Sequence, residues 1–216
     1  MNYNQDFCNA CLNGHLDIAK QLVELHSQIN ISAHNDYAFR FACLKGHLDV
    51  AKWLVESYPQ INISADDDFA FRFACANGHL DIAKWLVESY PQINISAEDE
   101  YAFRSACRFG HLEVAKLLIH SYPSDVDIST RDNYAFRFAC SNGYISVAKW
   151  LVEIRPYHYM IELDKSQTRI LSWKIRPIQE TRWLERAVPI LAYNSKTPNM
   201  FQTLNYDTVR YICEFV

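Results

Sequence analysis

The chain has 216 residues and a formal net charge of −4, and it contains only five glycines but seven cysteines. This composition excludes collagen and low-complexity disorder, and it holds far fewer cysteines than the roughly 8–10% of a small disulfide scaffold. The weakly acidic balance provides no overall basic field that would recruit nucleic acid or acidic lipid.

The first residues and the apolar runs predict a soluble protein. Residues 1–6, Met-Asn-Tyr-Asn-Gln-Asp, have neither the basic start nor the apolar run of a signal peptide. The longest apolar run, residues 187–193, is interrupted by Pro189 and is far shorter than the roughly 20 residues that a membrane helix needs. We therefore expect an intracellular, cytoplasmic chain.

The glycines mark an internal repeat. They recur at intervals of 32, 32, 32 and 33 residues. A cysteine lies three residues before each glycine, and a histidine directly follows each of the first four. A period of this length is typical of a stacked solenoid. The residues are Gly14, Gly46, Gly78, Gly110 and Gly143, then Cys11, Cys43, Cys75, Cys107 and Cys140, then His15, His47, His79 and His111.

The unit of residues 37–68 shows the predicted elements in chain order. Alanine, phenylalanine and cysteine in residues 38–43 predict a short buried helix. Gly46 supplies a turn, because a positive φ costs glycine little. Apolar residues at helical spacing in residues 48–55 predict a second helix, which Pro59 ends.

A loop completes the unit. Residues 61–64, Ile-Asn-Ile-Ser, alternate apolar and polar side chains as an extended segment does. The polar run of residues 66–68 predicts an exposed loop tip.

This unit resembles the ankyrin repeat. The stretch Ala-Cys-x-x-Gly-His-Leu-[Asp/Glu]-[Ile/Val]-Ala-Lys-x-Leu is close to the family's Ala-x-x-x-Gly-His stretch and recurs in five copies over residues 2–156. The family's Thr-Pro-Leu-His opening is replaced by Tyr-Ala-Phe-Arg at residues 37–40, and Tyr58 replaces the glycine that usually ends the second helix. The repeats are similar to the diverged type of giant-virus and protist proteins. The resemblance implies an all-α ankyrin-repeat solenoid of five helix-turn-helix repeats with short extended loops, followed by a helical C-terminal tail.

The predicted domain boundary lies at residue 156. Polar residues in the first repeat replace three aromatic ones of the second, which predicts an N-terminal cap with a polar outer face. These residues are Gln5, Asn9 and Gln21, in place of Tyr37, Phe41 and Trp53. The repeats cover residues 2–36, 37–68, 69–100, 101–133 and 134–156, and the tail covers residues 157–216.

The recurring cysteine–histidine pairs raise the possibility of a metal site or a nucleophile. Zinc needs four ligands in tetrahedral geometry, whereas each pair straddles a glycine turn and lies about 10 Å from the next. The fifth copy has Tyr144 in place of the histidine. A catalytic site needs one particular arrangement of a nucleophile and a base, whereas these residues recur from repeat to repeat. No glycine remains for a phosphate-binding loop, because each one lies in a repeat turn. We predict buried thiols that pack, histidines that bond turn carbonyls, and a non-catalytic protein without metal or cofactor.

Two further series recur with the repeat. Arginines at the repeat period could form a basic stripe for phosphate or could pair with neighbouring acids. Residues 1–154 carry 12 basic and 19 acidic groups, which favours pairing. The phenylalanines at Phe41, Phe73 and Phe138 could form a binding stripe, but we predict core packing. The arginines are Arg40, Arg72, Arg104 and Arg137, and the acids are Asp36, Asp68, Glu100 and Asp132.

The two most similar units, residues 37–68 and 69–100, differ strongly only just before the turn glycine, at Leu44/Ala76 and Lys45/Asn77. The ankyrin resemblance implies that these positions and the loop tips face a concave protein-binding surface, the alternative being neutral variation. Arg108 and Phe109 are the best anchors, because arginine and aromatic residues are enriched at hot spots. The predicted contact set is Leu44, Lys45, Asp67, Ala76, Asn77, Asp99, Arg108, Phe109, Ser141 and Asn142.

The last 13 residues resemble the opening of an F-box, although Asn205 replaces the usual proline. The resemblance implies that the tail binds the adaptor subunit of a cullin–RING ubiquitin ligase while the repeats select a target, in the host cytoplasm if the protein is viral. The alternative is a plain binding module whose last helix covers Val147 and Trp150. A third possibility, single-stranded nucleic acid stacking on Trp173 and Trp183, lacks a basic domain. The matching residues are Leu204, Asp207, Val209, Ile212, Cys213, Phe215 and Val216.

Overall fold

The computed structural model describes residues 2–123, 126–128 and 130–154, apart from the side chains of residues 132 and 152. Within these residues the chain forms ten α-helices and no strand. The predicted all-α architecture of paired helices is confirmed. The helices are α1 Tyr3–Leu12, α2 Leu16–Leu25, α3 Ala33–Lys45, α4 Leu48–Ser57, α5 Ala65–Ala76, α6 Leu80–Ser89, α7 Ala97–Arg108, α8 Leu112–Ser121, α9 Thr130–Ser141 and α10 Ile145–Ile154.

Odd-numbered helices are the first helices of the repeats and even-numbered helices are the second. The first helices α1, α3 and α5 pack side by side, and each contacts the second helix that follows it; α9 contacts α10 in the same way. The chain divides into two compact units, which we describe separately. The first unit comprises Met1–Ala106 and Glu113–Asp127, and the second comprises Cys107–Leu112 and the chain from Ile128 onward.

The core uses the same positions in successive repeats. In the second repeat, Phe39 and Cys43 of α3 and Leu54 of α4 are fully buried. Their counterparts in the third repeat, Phe71, Cys75 and Leu86, are buried too. Each large apolar side chain contributes roughly 1.5–3 kcal/mol by leaving water. The alanines between them allow the helices to approach closely.

The glycine turn also joins neighbouring repeats. Gly46 ends α3 with φ 88°, and a Cβ there would lie 2.7 Å from the imidazole ring of His79 in the next repeat. The same imidazole donates from Nε2 to the carbonyl of Leu44 over 3.0 Å, and His47 makes the equivalent bond to Leu12 over 3.1 Å. The predicted bonding of histidines to turn carbonyls is confirmed for His47 and His79, and in both cases the carbonyl belongs to the preceding repeat.

The junction at Gly110, within the second unit, replaces this bond. Tyr144 stands in place of the histidine, and a Cβ on Gly110 would clash with its ring. The carbonyl of Arg108 accepts instead from Nδ2 of Asn142 over 2.8 Å. The equivalent Asn77 uses its amide on Phe73 of its own helix. An asparagine therefore supplies the donor that the tyrosine cannot.

The helix ends and the first repeat follow the sequence pattern. Helix α4 ends at Ser57, directly before Tyr58 and Pro59. Gln5 and Asn9 are exposed and hydrogen-bond each other over 3.1 Å, where the second repeat stacks two aromatic rings.

Candidate functional site

The polar tips between repeats form left-handed turns. Residues 34–36, 66–68 and 98–100 all have φ between 53° and 59°, and each triplet directly precedes the right-handed part of α3, α5 or α7. Backbone N–H groups of the third tip residues donate to the serine carbonyl four residues earlier, as from Asp68 to Ser64 over 3.2 Å. This region is costly for residues other than glycine, and asparagine and aspartate tolerate it best.

The prediction of a fully exposed loop tip is therefore wrong at its third residue. The side chain of Asp36 is 5% exposed, and Asp68 is buried equally. The carboxylate of Asp36 accepts from the backbone N–H of Asn62, and that of Asp68 from Asn94, each over 3.0 Å. Each buried carboxylate thus fixes the loop of the next tip instead of facing a ligand.

The periodic arginines stabilise these turns. Arg40, only 8% exposed, donates from Nε to the carbonyl of Asn35 over 2.7 Å and from Nη2 to that of His34 over 2.9 Å. Its Nη1 forms an ion pair with Asp66 of the next tip. Arg72 and Arg104 also use Nε and Nη2 on two carbonyls of their own tips.

The predicted pairing with neighbouring acids is therefore only partly right. Arg40, Arg72 and Arg104 each donate to two backbone carbonyls, and the carboxylate that Arg40 binds belongs to Asp66, not to the predicted Asp36.

A row of partly exposed aromatic rings, which we call the aromatic ladder, crosses the first helices of the first unit. Within one helix the rings stack at about 4 Å, as Tyr37 does on Phe41 and Phe69 on Phe73. Between helices the centroids are 5.6 Å apart for Phe41 and Phe69 and 5.4 Å for Phe73 and Tyr101. The ladder comprises Tyr37, Phe41, Phe69, Phe73 and Tyr101, all partly exposed.

The prediction that Phe41 and Phe73 belong to the core is therefore wrong. The buried phenylalanines are Phe39 and Phe71, two residues earlier. Arg40 lies 5.0 Å from the centroid of Phe69, so a guanidinium borders the ladder as well as the tip.

The second unit carries a different aromatic cluster, which we call the Arg108 clasp. It consists of Arg108, Phe109, Tyr134 and Phe138. The guanidinium of Arg108 lies 5.0 Å from the centroid of Phe138 and 5.3 Å from that of Phe109. Its Nη1 donates to the hydroxyl of Tyr134 over 2.6 Å. Phe138, which we predicted in the core, is partly exposed and stacks on Tyr134 at 4.1 Å.

The predicted contact residues divide by exposure. Phe109 is 44% exposed, which is unusual for so large an apolar side chain. Ala76 is buried at 6% exposure, so it is removed from the set. The exposed residues are Lys45, Asp67, Asn77, Asp99, Phe109 and Asn142, and the partly exposed ones are Leu44, Arg108 and Ser141.

The repeat cysteines have neither the exposure nor the pKa of reactive thiols. Burial raises the pKa of Cys43, Cys75 and Cys107 far above the ordinary value, and it raises that of Cys11 and Cys140 to about 12. In the part of the chain that the structure covers, no group of three or more histidine, cysteine or acidic side chains could hold a metal ion. No helix there is long and apolar enough to cross a bilayer.

The left-handed tips were not predicted from the sequence, and the phenylalanine stripe was considered but not preferred. A signal for the ladder was present, because an aromatic residue at Tyr37 or Phe69 is followed by phenylalanine four residues later. Residues at this spacing meet on a helix surface. The F-box-like segment, residues 204–216, lies outside the described residues, and so does the predicted tail of residues 157–216.

The comparison with known families agrees with the geometry. The family of ankyrin repeats, in a form spanning three copies, matches residues 7–99 and 71–167. A search of curated proteins gives no match. Ankyrin repeats form protein–protein interaction modules, and proteins built from them are typically non-catalytic. The paired helices, the glycine–histidine junctions and the family match together show that the chain belongs to the ankyrin-repeat family.

Proposed function

We propose that the chain is a non-catalytic binding protein that holds a protein partner on the first helices and tips of its repeats. The aromatic ladder carries this proposal. Five partly exposed rings, two pairs of them stacked, already contact one another before binding, so little side-chain entropy is lost when a partner covers them. Aromatic residues are also enriched among the residues that dominate binding energy.

Polar side chains border the ladder and would set specificity. In the first unit these are Lys45 and Asn77 at the helix ends and Asp67 and Asp99 at the tips, all exposed. Leu44 adds a partly exposed apolar contact. In the second unit the proposed contacts are Arg108, Phe109, Ser141 and Asn142. In the first unit, a partner would bury the rings of the ladder at the centre of the contact and keep the polar groups at its rim, as in other protein interfaces.

Selection of displayed peptides on the immobilised chain tests this proposal. We expect Phe73→Ala to lower the affinity of the chain for the selected peptides by tenfold or more, which is equivalent to about 1.4 kcal/mol of binding free energy. The exposed substitution Asn77→Glu keeps the test valid if Phe73→Ala unfolds the chain. Glu88→Ala, exposed on the second helix α6, is the matched control and should leave binding unchanged. Equal losses with Asn77→Glu and Glu88→Ala would contradict the proposed surface.

We further propose, from the resemblance of residues 204–216 to the start of an F-box, that the chain recruits its partner to a cullin–RING ubiquitin ligase. This role assumes a cytoplasmic protein, in the host cytoplasm if the giant-virus resemblance of the repeats reflects its source. Truncation before Asn205 should abolish recovery of ligase subunits from the chain. Equal recovery of ligase subunits with and without residues 205–216 would contradict this role and favour a plain binding module. In that case the truncation should instead lower the melting temperature of the chain.

A further inference from the structure

Arg108 differs from the periodic arginines in the hydrogen bonding along one edge of its guanidinium. Arg40, Arg72 and Arg104 commit Nε and Nη2, the two parallel donors, to tip carbonyls. Arg108 bonds Tyr134 through Nη1 alone. Among the residues described, nothing accepts a hydrogen bond from its Nε or Nη2. The edge that is satisfied in the other arginines is therefore open in Arg108.

The side chain is held in place although this edge is open. Phe138 and Phe109 both lie within cation–π range of the guanidinium, and the Tyr134 hydroxyl fixes its rotation. The helix end that carries Arg108 is also fixed, because its carbonyl accepts from Asn142. An arginine held in this way loses less conformational entropy when its open edge binds a ligand.

We propose that the Nε–Nη2 edge of Arg108 binds a carboxylate of the protein partner, an aspartate or glutamate side chain, with an apolar neighbour of that residue packed on Phe109. Two parallel N–H donors match the two oxygens of a carboxylate and give a bidentate, charge-assisted pair. This inference rests on the proposed function, because it names the chemistry of the partner contacts proposed for the second unit.

The charge balance of the second unit agrees with an acidic ligand. Residues 107–112 and 128–154 contain four basic and two acidic residues. Residues 1–106 and 113–127 contain eight basic and 17 acidic residues, which would repel a carboxylate. The combination of Arg108 and Phe109 is also particular to the fourth repeat, since the second repeat has Leu44 and Lys45 at these positions.

Titration of the full chain, labelled with ¹⁵N, by N-acetyl-Glu-Phe-amide tests the clasp through the arginine Nε–Hε resonances. We expect a saturable shift of the Arg108 resonance, which Arg108→Lys assigns by its loss. The neutral peptide N-acetyl-Gln-Phe-amide should shift this resonance at least tenfold less at the same concentration, and Arg72 should not respond to either peptide. In a chain carrying Arg72→Lys, the matched control, the Arg108 response should persist.

Three results would overturn the carboxylate assignment: an unshifted Arg108 resonance, an equal response to the glutamine peptide, or a larger shift with inorganic phosphate. Backbone amide spectra of each variant confirm that it is folded. Failure of the clasp and failure of the proposed function are distinguishable, because the effects of Phe73→Ala and Asn77→Glu on selected peptides do not depend on Arg108.

Discussion

The guanidinium groups of Arg40 in the first unit and Arg108 in the second occupy opposite settings. Arg40 is buried, and its donors are taken by two tip carbonyls and by Asp66. Arg108 is partly exposed, is held by aromatic groups and keeps one edge open within the described structure. The position of Arg40 recurs in each of the following repeats, whereas arginine occurs at the position of Arg108 once. In this repeat protein, periodic arginines maintain the fold, and an arginine that breaks the period is the candidate for binding.

The largest expected effect tests whether Arg40 contributes more than Arg108 to the free energy of unfolding. Arg40→Met keeps most of the apolar stem but removes the donors to two carbonyls and a carboxylate. We expect a loss of about 2–3 kcal/mol in the free energy of unfolding, because hydrogen bonds to charged groups contribute roughly 1.5–3 kcal/mol each and water replaces some of them. Urea denaturation measures the loss. Arg108→Met, the matched variant, should cost about 1 kcal/mol; equal losses would remove the distinction.

The buried carboxylate of Asp68 gives a slightly smaller effect. Asp68→Ala leaves the backbone N–H of Asn94 without its acceptor, which should cost about 1–3 kcal/mol. Asp68→Asn should be nearly neutral, because Asn4 already fills this role in the first repeat by accepting from Asn30 over 2.9 Å. Urea denaturation of both variants separates the hydrogen bond from the charge. A large loss with Asp68→Asn would show that the negative charge itself is required.

The two kinds of repeat junction can be compared directly. His79→Ala should cost about 1–2 kcal/mol, because the carbonyl of Leu44 loses a donor and the ring leaves a gap against Gly46. Asn142→Ala removes the only substitute donor found for the Arg108 carbonyl in the described residues, without leaving such a gap, and should cost about 1 kcal/mol. Thermal unfolding followed by circular dichroism checks both. A negligible effect of Asn142→Ala would mean that Tyr144 alone holds this junction.

Because the tips are left-handed, we expect glycine at an exposed tip position to give a small gain in stability. Asp67 has φ 53°, and its exposed side chain forms no hydrogen bond or ion pair within the described structure. Asp67→Gly should therefore raise the free energy of unfolding by roughly 0.5–1 kcal/mol, because glycine adopts this conformation without steric cost. Lys45→Gly, at the exposed end of α3, should lower it by about 1 kcal/mol. Differential scanning calorimetry compares the two, and a loss with both would refute the left-handed tip.

The sequence predicted the helix pairs because glycine, proline and apolar spacing act locally. The turn at Gly46 and the helix end before Pro59 need only short-range steric rules. The burial of Cys43 also followed, since small apolar residues at a fixed repeat position indicate packing. The partial exposure of Phe41 does not follow from the sequence, since a single repeat cannot show that its ring stacks on neighbours along a row of helices.

The amino-acid sequence by itself determined the ankyrin architecture of this protein, because a motif copied five times imposes the same helix pair five times. Only the tertiary structure decided what the polar side chains do. The repeat period separates Arg40 and Arg104 from Arg108, but it does not supply their partners, which include tip carbonyls for the first two and aromatic groups of α9 for Arg108. Hydrogen-bond partners depend on which groups the folded backbone brings within about 3 Å of each other. The repeat period in the sequence does not specify these distances.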